Sequence, residues 1–403
     1  MKTGMQNELF TLGKLYVSDF LKDGEQPAQE PVELKMIMDG GFVRLADSAP
    51  PGSMYGEKYW YRSGINKTMK FELKHIVDSI FSSIRLNAGD IWLDIACNDG
   101  TLLSFVPDVF NRIGVDPAND SFKEQSSKHA DLIIQDYFSA GALNGIKAKV
   151  ITSIAMFYDL EKPEEFIKDI DKVLDKDGLW VMQLSYTPLM IEQVAFDNIC
   201  HEHIYYYSLT NLKELLERNG FKIVDCQLNS VNGGSFRVYI MKQEGDVKKF
   251  STAPNRDVCQ MRIKSLLAYE KQIGANGTDI WAEFFDKIEK LKNTTVDFIR
   301  VEKSKGKTIM GYGASTKGNT LLQYFGLDYT LIDAIADRSP QKHGLRTVGT
   351  DIPIISEEEM RARHPDYLLI LPWHFIDEFK DRESNYLRSG GKFIVPCPIF
   401  EIV

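Results

Sequence analysis

Between Asp90 and Gly245, short runs of apolar residues alternate with stretches whose apolar positions recur every three or four residues, and few folds accommodate such an alternation. Ile91-Trp92-Leu93-Asp94-Ile95-Ala96, Arg112-Ile113-Gly114-Val115-Asp116, Leu132-Ile133-Ile134 and Val150-Ile151-Thr152-Ser153-Ile154 have few polar interruptions. Strands this apolar are covered on both faces, as in a parallel sheet flanked by helices. A fifth strand, residues 179–184, follows a helix that opens at Pro163, places Phe166, Ile170, Val173 and Leu174 on one face, and is expected to stop at Asp177-Gly178. Residues 209–219 read as another helix ended by Gly220. Residues 221–228 and 234–241 read as an antiparallel edge pair joined through Asn232-Gly233. The expectation is a doubly wound α/β sheet.

The flanks complete a four-part plan. Residues 1–55 form a small accessory domain, with strands expected at 14–17, 32–37 and 42–45 and a hairpin turn at Asp39-Gly40-Gly41. Residues 56–250 carry the sheet, entered through a helix at 67–84. Residues 251–305 read as a two-helix connector broken at Gly274-Ala275-Asn276-Gly277, and 306–403 as a second α/β domain. With 403 residues, 43% of them hydrophobic, each part has apolar material for a core. A formal charge of −9 argues against a nucleic-acid surface, and no apolar run reaches membrane-spanning length. Five cysteines without Cys-x-x-Cys spacing suit a reducing cytoplasm better than a disulfide framework.

Asp94-Ile95-Ala96-Cys97-Asn98-Asp99-Gly100-Thr101 follows the first strand and is expected to open a helix at 102–105. A dinucleotide turn needs three spaced glycines; only Gly100 is present, one place early for the third, with Ala96 and Asn98 in the first two places. Acids at Asp94 and Asp99 would repel a diphosphate and attract a cation. S-adenosylmethionine, with an ammonium and a sulfonium, suits such a turn. Asp116, next to Pro117 at the end of the second strand, is placed for ribose hydroxyls, and Asp136-Tyr137 after the third for adenine. Cys97 in the turn and Ser153 at the end of the fourth strand complete the expected cofactor contacts. Three acids at successive strand ends are the arrangement that binds ligand at the carboxyl edge of such sheets.

The densest chemistry lies at Phe196-Asp197-Asn198-Ile199-Cys200-His201-Glu202-His203-Ile204-Tyr205-Tyr206-Tyr207-Ser208. Two imidazoles flank a carboxylate, so the segment reads as a metal site or an acid/base site. An extended chain sends His201 and His203 one way and Glu202 the other. The zinc-protease pattern, His-Glu-x-x-His on a helix, is not met, which favours acid/base chemistry. A second glycine-rich turn, Gly311-Tyr312-Gly313-Ala314-Ser315-Thr316-Lys317-Gly318, follows a strand and suits a phosphate, with packing of strand on helix as the structural alternative. Asp337 ends the next strand, where a dinucleotide fold holds its ribose, and His374 is a further candidate ligand.

Four blocks together carry a resemblance: residues 94–103, the segment Phe196 to Ser208, the turn Asn232-Gly233-Gly234-Ser235-Phe236-Arg237, and residues 311–322. In that order they resemble the sugar C-methyltransferases that act on nucleotide-linked 4-keto-deoxysugars. The resemblance implies a small amino-terminal domain, a central class I S-adenosylmethionine methyltransferase domain with a Rossmann-like sheet, and a carboxyl-terminal Rossmann-like domain that helps hold a nucleotide-sugar. It implies substrate contacts at Asn232, Gly233, Ser235, Arg237, Tyr312, Lys317 and His374. Three departures stand out. The first domain lacks the family's zinc-binding cysteines, which implies that zinc is absent; Cys200 replaces a tyrosine; Asn232 replaces a histidine.

Methylating carbon next to a ketone requires a base and a donor to the enolate oxygen. His203 is the expected base, since an imidazole accepts protons near neutrality, with Glu202 or His201 to orient or replace it. Tyr206 or Tyr61 is the expected donor, and the block Tyr59-Trp60-Tyr61-Arg62-Ser63 is expected to cover the cofactor. The sequence leaves open an O- or N-methyltransferase on a related sugar nucleotide and a non-catalytic binding protein. Nucleotide, sugar and oligomeric state are not specified by it.

Overall fold

The computed structural model describes residues 6–50, 52, 54, 60–251 and 253–403, the side chains of residues 253 and 254 excepted. Tyr59, expected in the aromatic cover, lies outside the described residues. The chain packs as two units: Tyr55–Pro188 with Ile204–Asn276, and Met1–Met54 with Leu189–His203 and Gly277–Val403. The two helices read as a connector therefore divide, the first with one unit and the second with the other.

The amino-terminal part of the second unit is an antiparallel meander of β1 (Asn7–Leu15), β2 (Val32–Asp39) and β3 (Phe42–Leu45). Gly40 and Gly41, at φ +58° and +87°, make the tight turn between β2 and β3. The first strand lies earlier than the expected 14–17. A register shift between Thr11 and Lys14, with Gly13 at φ +83°, breaks the alternation that the sequence reading depended on. Phe10, Leu12 and Leu15 are its buried residues.

The central sheet holds β4 (Ile91–Ile95), β5 (Asn111–Val115), β6 (Leu132–Ile134), β7 (Ala148–Ile154), β8 (Leu174–Ser185), β9 (Phe221–Asn229) and β10 (Ser235–Lys242). Its order is β9-β10-β8-β7-β4-β5-β6, parallel except for β10, which runs antiparallel to both its neighbours. The chain leaves β4 towards β5 on one side and returns to β7 on the other, so the carboxyl ends of β4 and β7 form the switch point where such sheets bind ligand. α1 (Lys67–Ser83), whose first turn is capped by the Asn66 side chain, places Leu73, Ile76, Val77 and Ile80 against Trp92, Val150, Val181 and Tyr239. α2 (Asp120–Ser126), α3 (Pro163–Val173), α4 (Leu209–Arg218) and α5 (Ala253–Ile273) belong to the same unit.

Two local expectations are corrected. α3 ends at Val173, and Asp177-Gly178 lies inside β8. There the pairing with β7 slips between Ala148↔Leu174 and Val150↔Leu179. A Cβ on Gly178 would stand 2.8 Å from Leu174 Cδ1 and 3.1 Å from the Ala148 carbonyl oxygen, so the glycine serves close approach in a bulge. The helix expected at 102–105 is a single 3-10 turn, Leu103–Phe105, ending at the extended Val106 before Pro107.

In the second unit, α6 (Asp279–Ser304) buries Trp281, Phe284, Ile288 and Leu291. Phe10 of β1 stacks on Phe285 with ring centres 4.8 Å apart, a contact worth about 0.5–1.5 kcal/mol beyond burial. β11 (Ile309–Tyr312), α7 (Thr316–Phe325), β12 (Ile335–Asp337), β13 (Ile354–Ser356), β14 (Tyr367–Ile370), β15 (Lys392–Val395) and β16 (Glu401–Ile402) follow. The sheet order is β13-β12-β11-β14-β15-β16, parallel up to the last pair. Tyr16 and Gln323 exchange two hydrogen bonds, at 2.8 and 3.1 Å, fastening the amino-terminal segment to α7. No described helix is long and apolar enough to cross a membrane. All five cysteines are buried, and none forms a disulfide.

Candidate active site

The turn after β4 is shaped by backbone strain. Ala96, Asn98 and Gly100 have φ of +57°, +52° and +76°, and a Cβ on Gly100 would stand 2.7 Å from the Ser126 backbone, so only glycine fits there. Asp116 holds the turn: its two oxygens accept from the Asn98 and Ala118 amides at 2.7 and 2.8 Å. Asp94 accepts from Thr152 Oγ1 at 2.6 Å. Burial, then the neighbouring Asp116, pushes the Asp94 carboxyl up to about 7, less what Thr152 takes back. Burial likewise raises Asp116, with Asp99 adding to it. Among the described residues no Lys, Arg or His forms an ion pair with Asp94, Asp99 or Asp116. A buried acidic turn without its own counter-charge fits a ligand carrying positive charge and hydroxyl donors, as S-adenosylmethionine does.

Residues 60–66 are pinned over this turn. The Asn98 side chain accepts from the Ser63 amide at 3.0 Å and donates to the Tyr61 carbonyl at 3.0 Å; Asp99 accepts from the Gly64 amide at 2.8 Å. Arg62 donates to Ser121 and Gln125, both at 2.7 Å, and lies 3.9 Å over the Phe122 ring. Tyr61 keeps 42% of its surface exposed, yet protein crowding, followed by the charge of Asp99, pushes its phenol up to about 12. It is a hydrogen-bond donor at any working pH. Asp136 and Tyr137 are exposed, and Pro117 is half-buried. Cys97 is buried in the turn. Ser153, by contrast, is fully buried with its hydroxyl accepting from Trp180 at 2.8 Å, which places its side chain inside the sheet instead of at the cofactor edge.

The His-Glu-His segment belongs to the other unit. His203 is 8% exposed and its Nδ1 lies 2.8 Å from the Asn198 carbonyl oxygen. A carbonyl only accepts, so Nδ1 carries the proton and Nε2 keeps its lone pair. Burial, then the charge of Lys317, takes His203 down to about 3, so it stays neutral. Glu202 goes the other way, pushed up to about 7 by burial against the pull of Cys200 and Lys317. His201 Nε2 donates to the Val32 carbonyl at 3.0 Å, which tethers the ring to β2 and makes Nδ1 its basic nitrogen. Lys317, at the start of α7, donates to Asn198 Oδ1 at 2.6 Å. His374 is also taken down to about 3 by burial and then Lys317, and its ring nitrogens make no hydrogen bond to other described residues. Tyr206 is buried, in the unit of the central sheet.

Other expected substrate contacts have structural partners. Arg237 is 2% exposed; it donates to Glu72 at 2.6 Å, Gln183 at 3.1 Å and Ser79 at 3.1 Å, so its guanidinium is committed to the interior. Tyr312 donates to Glu383 at 2.7 Å within a carboxylate and arginine network. Ser235 is buried with its hydroxyl on the Val231 carbonyl at 2.9 Å, and Gly233, at φ +82°, shapes the turn. Asn232 is left-handed, at φ +55°, and its side chain hydrogen-bonds to no other described residue. Asp337 has its oxygens on the Ala314 and Ser339 amides, both at 2.8 Å, and Lys342 fills the space beside them, which disfavours a dinucleotide ribose there. Among the described residues no group of three or more His, Cys, Asp or Glu could hold a metal ion.

Sequence reasoning missed Asp197 and Asn198 as members of the cluster. Asp197 is 1% exposed, accepts from Trp373 Nε1 at 3.2 Å through one oxygen, and leaves Oδ1 without a hydrogen-bond partner. The available signal was position: an acid and an amide between Phe196 and Ile199, in a segment otherwise apolar enough to be buried.

Comparison with known proteins points to methyl transfer. Residues 65–225 match a family described as a methyltransferase domain, and residues 230–398 match one described as the C-methyltransferase C-terminal domain. The chain is 28% identical to the C-methyltransferase NovU of Streptomyces niveus over 374 residues, 91% of this chain and 86% of that one. Solved structures overlay more loosely. The magnesium protoporphyrin IX methyltransferase of Synechocystis PCC 6803 with bound SAH covers 44% of this chain and 88% of its own, at 12% identity and a TM-score of 0.36. An S-adenosylmethionine-dependent methyltransferase from Clostridium acetobutylicum covers 45% and 94%, at 13% identity and 0.35.

Proposed function

This chain belongs to the S-adenosylmethionine-dependent C-methyltransferases, and from that premise we propose that its acceptor is a nucleotide-linked 4-keto-deoxysugar, methylated at C3 through an enolate. The observation that carries the reading is the pair of proton acceptors in the His-Glu-His segment. His203 is held in the tautomer that carries its proton on Nδ1 and makes Nε2 the basic nitrogen, and Glu202 is held at about 7. Transfer to oxygen or nitrogen needs a base far less than removal of a proton from carbon does.

S-adenosylmethionine, when bound, supplies an electrophilic methyl group. Asp94, Asp116 and the strained turn at Ala96, Cys97, Asn98 and Gly100 are the residues that would hold it, with Pro117, Asp136 and Tyr137 at the adjoining strand ends. The chain's further task is to make the acceptor carbon nucleophilic. Proton removal falls to the Glu202 and His203 pair: His203 by its basic Nε2, Glu202 by a proton affinity matched to neutral pH. Tyr61, a phenol that stays protonated, donates to the enolate oxygen, with Tyr206 as the alternative donor; loss of such a donor costs about 10²- to 10³-fold. Asn232 and His374, whose side-chain polar atoms are uncommitted among the described residues, are the groups available to the sugar nucleotide.

The test is deuterium uptake next to the ketone, read by mass spectrometry on nucleotide-linked 4-keto-6-deoxysugars in D₂O with and without S-adenosylmethionine. Exchange without the methyl donor, and methyl transfer to the same carbon with it, is expected. Methyl transfer without exchange assigns the acceptor to oxygen or nitrogen. The pH profile separates the two bases: an acid limb near 7 that Glu202→Gln abolishes marks Glu202, whereas activity persisting far below 7 and lost in His203→Ala marks His203.

A further inference from the structure

Lys317 was read from sequence as a phosphate ligand at a glycine-rich turn, but the structure gives its ammonium a different setting. It lies half-buried, with Nζ 2.6 Å from Asn198 Oδ1. Asn198 is 1% exposed; its amide nitrogen donates to the Ala195 carbonyl at 3.0 Å, and its own backbone carbonyl accepts from His203 Nδ1 at 2.8 Å. A single residue thus receives Lys317 on its side chain and orients His203 with its backbone.

The charge reaches further. Asp197, Glu202 and His203 on the segment 196–203, and His374 on the turn Trp373–Phe375, all interact electrostatically with Lys317. Cys397 faces Asp197 from the end of β15. On the turn itself, the one anion, Asp337, is occupied with the Ala314 amide and with Lys342.

We propose that Lys317 is a positioning residue for the His-Glu-His segment: fastened to Asn198, it fixes the carbonyl that orients His203 and supplies the one positive charge that Glu202, His203 and His374 share among the described residues. Its work is to keep the proton acceptors in acceptor form. A cation beside an imidazole disfavours imidazolium, and a cation beside a carboxyl favours carboxylate, so one charge holds both groups ready to take a proton. The proposal rests on the enolate reading for its catalytic meaning, but the electrostatics belong to the resting protein.

The deciding experiment compares Lys317→Met, Lys317→Gln and Lys317→Arg. Gln keeps a donor for Asn198 without the charge, and Arg keeps the charge. For kcat/KM of sugar deuterium exchange, Met and Gln are expected to raise the acid limb by about one pH unit, making the loss at low pH about tenfold greater than at high pH, while Arg leaves the limb in place. A uniform rise in KM for the nucleotide-sugar with an unmoved limb would overturn the proposal and restore the phosphate role. Independently of turnover, ¹⁵N NMR of the seven histidines in the ligand-free protein is expected to show the His203 and His374 protonation midpoints moving up in Met and Gln; unchanged midpoints would also overturn it. If the unaltered protein exchanges no deuterium at any pH, the enolate reading fails, and the imidazole titration still decides the role of Lys317.

Discussion

Two turns in this chain are built to one plan and differ in a single respect. After β4, Asp116 at the end of the neighbouring strand accepts from the turn amide of Asn98 and from the amide two residues on, Ala118. After β11, Asp337 does the same with Ala314 and Ser339, at matching distances of 2.8 Å. The second turn also contains its own cation: Lys342 is 9% exposed, donates to the Ala314 carbonyl at 2.6 Å and lies 3.7 Å from Asp337. Among the described residues the first has none, and it gathers Asp94 and Asp99 beside Asp116 instead. A strand, a tight turn and an acid do not by themselves make a cofactor site. On the function proposed above, what distinguishes the cofactor turn is charge left for a ligand to complete, and the turn that completes its own charge serves as scaffold.

The largest effect that would break this contrast is at Asp337. Asp337→Ala strands a buried lysine, at an expected cost of about 3–5 kcal/mol in urea-unfolding stability, with S-adenosylmethionine affinity unchanged by calorimetry. Weakened cofactor binding at full stability would reverse the assignment of the two turns. Asp116→Ala is expected to do the complementary thing, weakening S-adenosylmethionine by about 10²-fold through loss of charge-assisted hydrogen bonds. An affinity within a factor of three of the unaltered protein would remove Asp116 from the site.

A smaller effect follows from Asp94. Its carboxyl, raised to about 7 from the ordinary carboxylate range, is protonated in part of the ligand-free molecules at neutral pH. A cationic ligand selects the carboxylate, so affinity is expected to rise by up to about tenfold from pH 6 to pH 7 and to level off above. Asp94→Asn should flatten that dependence. The same shift makes stability highest below the ordinary carboxylate pKa and lowers it as pH climbs through about 7, since the unfolded chain releases this proton first. Smallest is Arg62→Ala. It frees residues 60–66 from Ser121 and Gln125 and is expected to weaken the cofactor by about fivefold, the equivalent of one net hydrogen bond.

Much of this was legible in the sequence because it depends on local pattern. The four apolar runs became β4 to β7 within two residues at each end, since a strand buried on both faces needs no partner to announce itself. Asp177-Gly178 misled because its locally correct reading, a helix stop, is overruled by a bulge whose reason is the Ala148 carbonyl, thirty residues away. Gly13 hid most of β1 in the same manner. The acids at Asp94, Asp99 and Asp116 could be read as a set because one sheet edge collects them. The Lys317 and Asn198 pair, separated by 119 positions, could not, and neither could the neutralising role of Lys342, which depends on where a side chain ends up rather than on any motif.

The fastening of the amino-terminal strands to α6 and α7 has a consequence in time. Phe10 stacks on Phe285, and Tyr16 clasps Gln323 at 307 positions' distance, so each segment waits for a partner made much later. At a synthesis rate of roughly 5–20 residues per second, that wait is on the order of 15–60 s, during which a small meander, marginal by itself, has no core to join. Ribosomes stalled before α7 should therefore present those strands to proteases and chaperones, while the same strands in the finished chain resist cleavage.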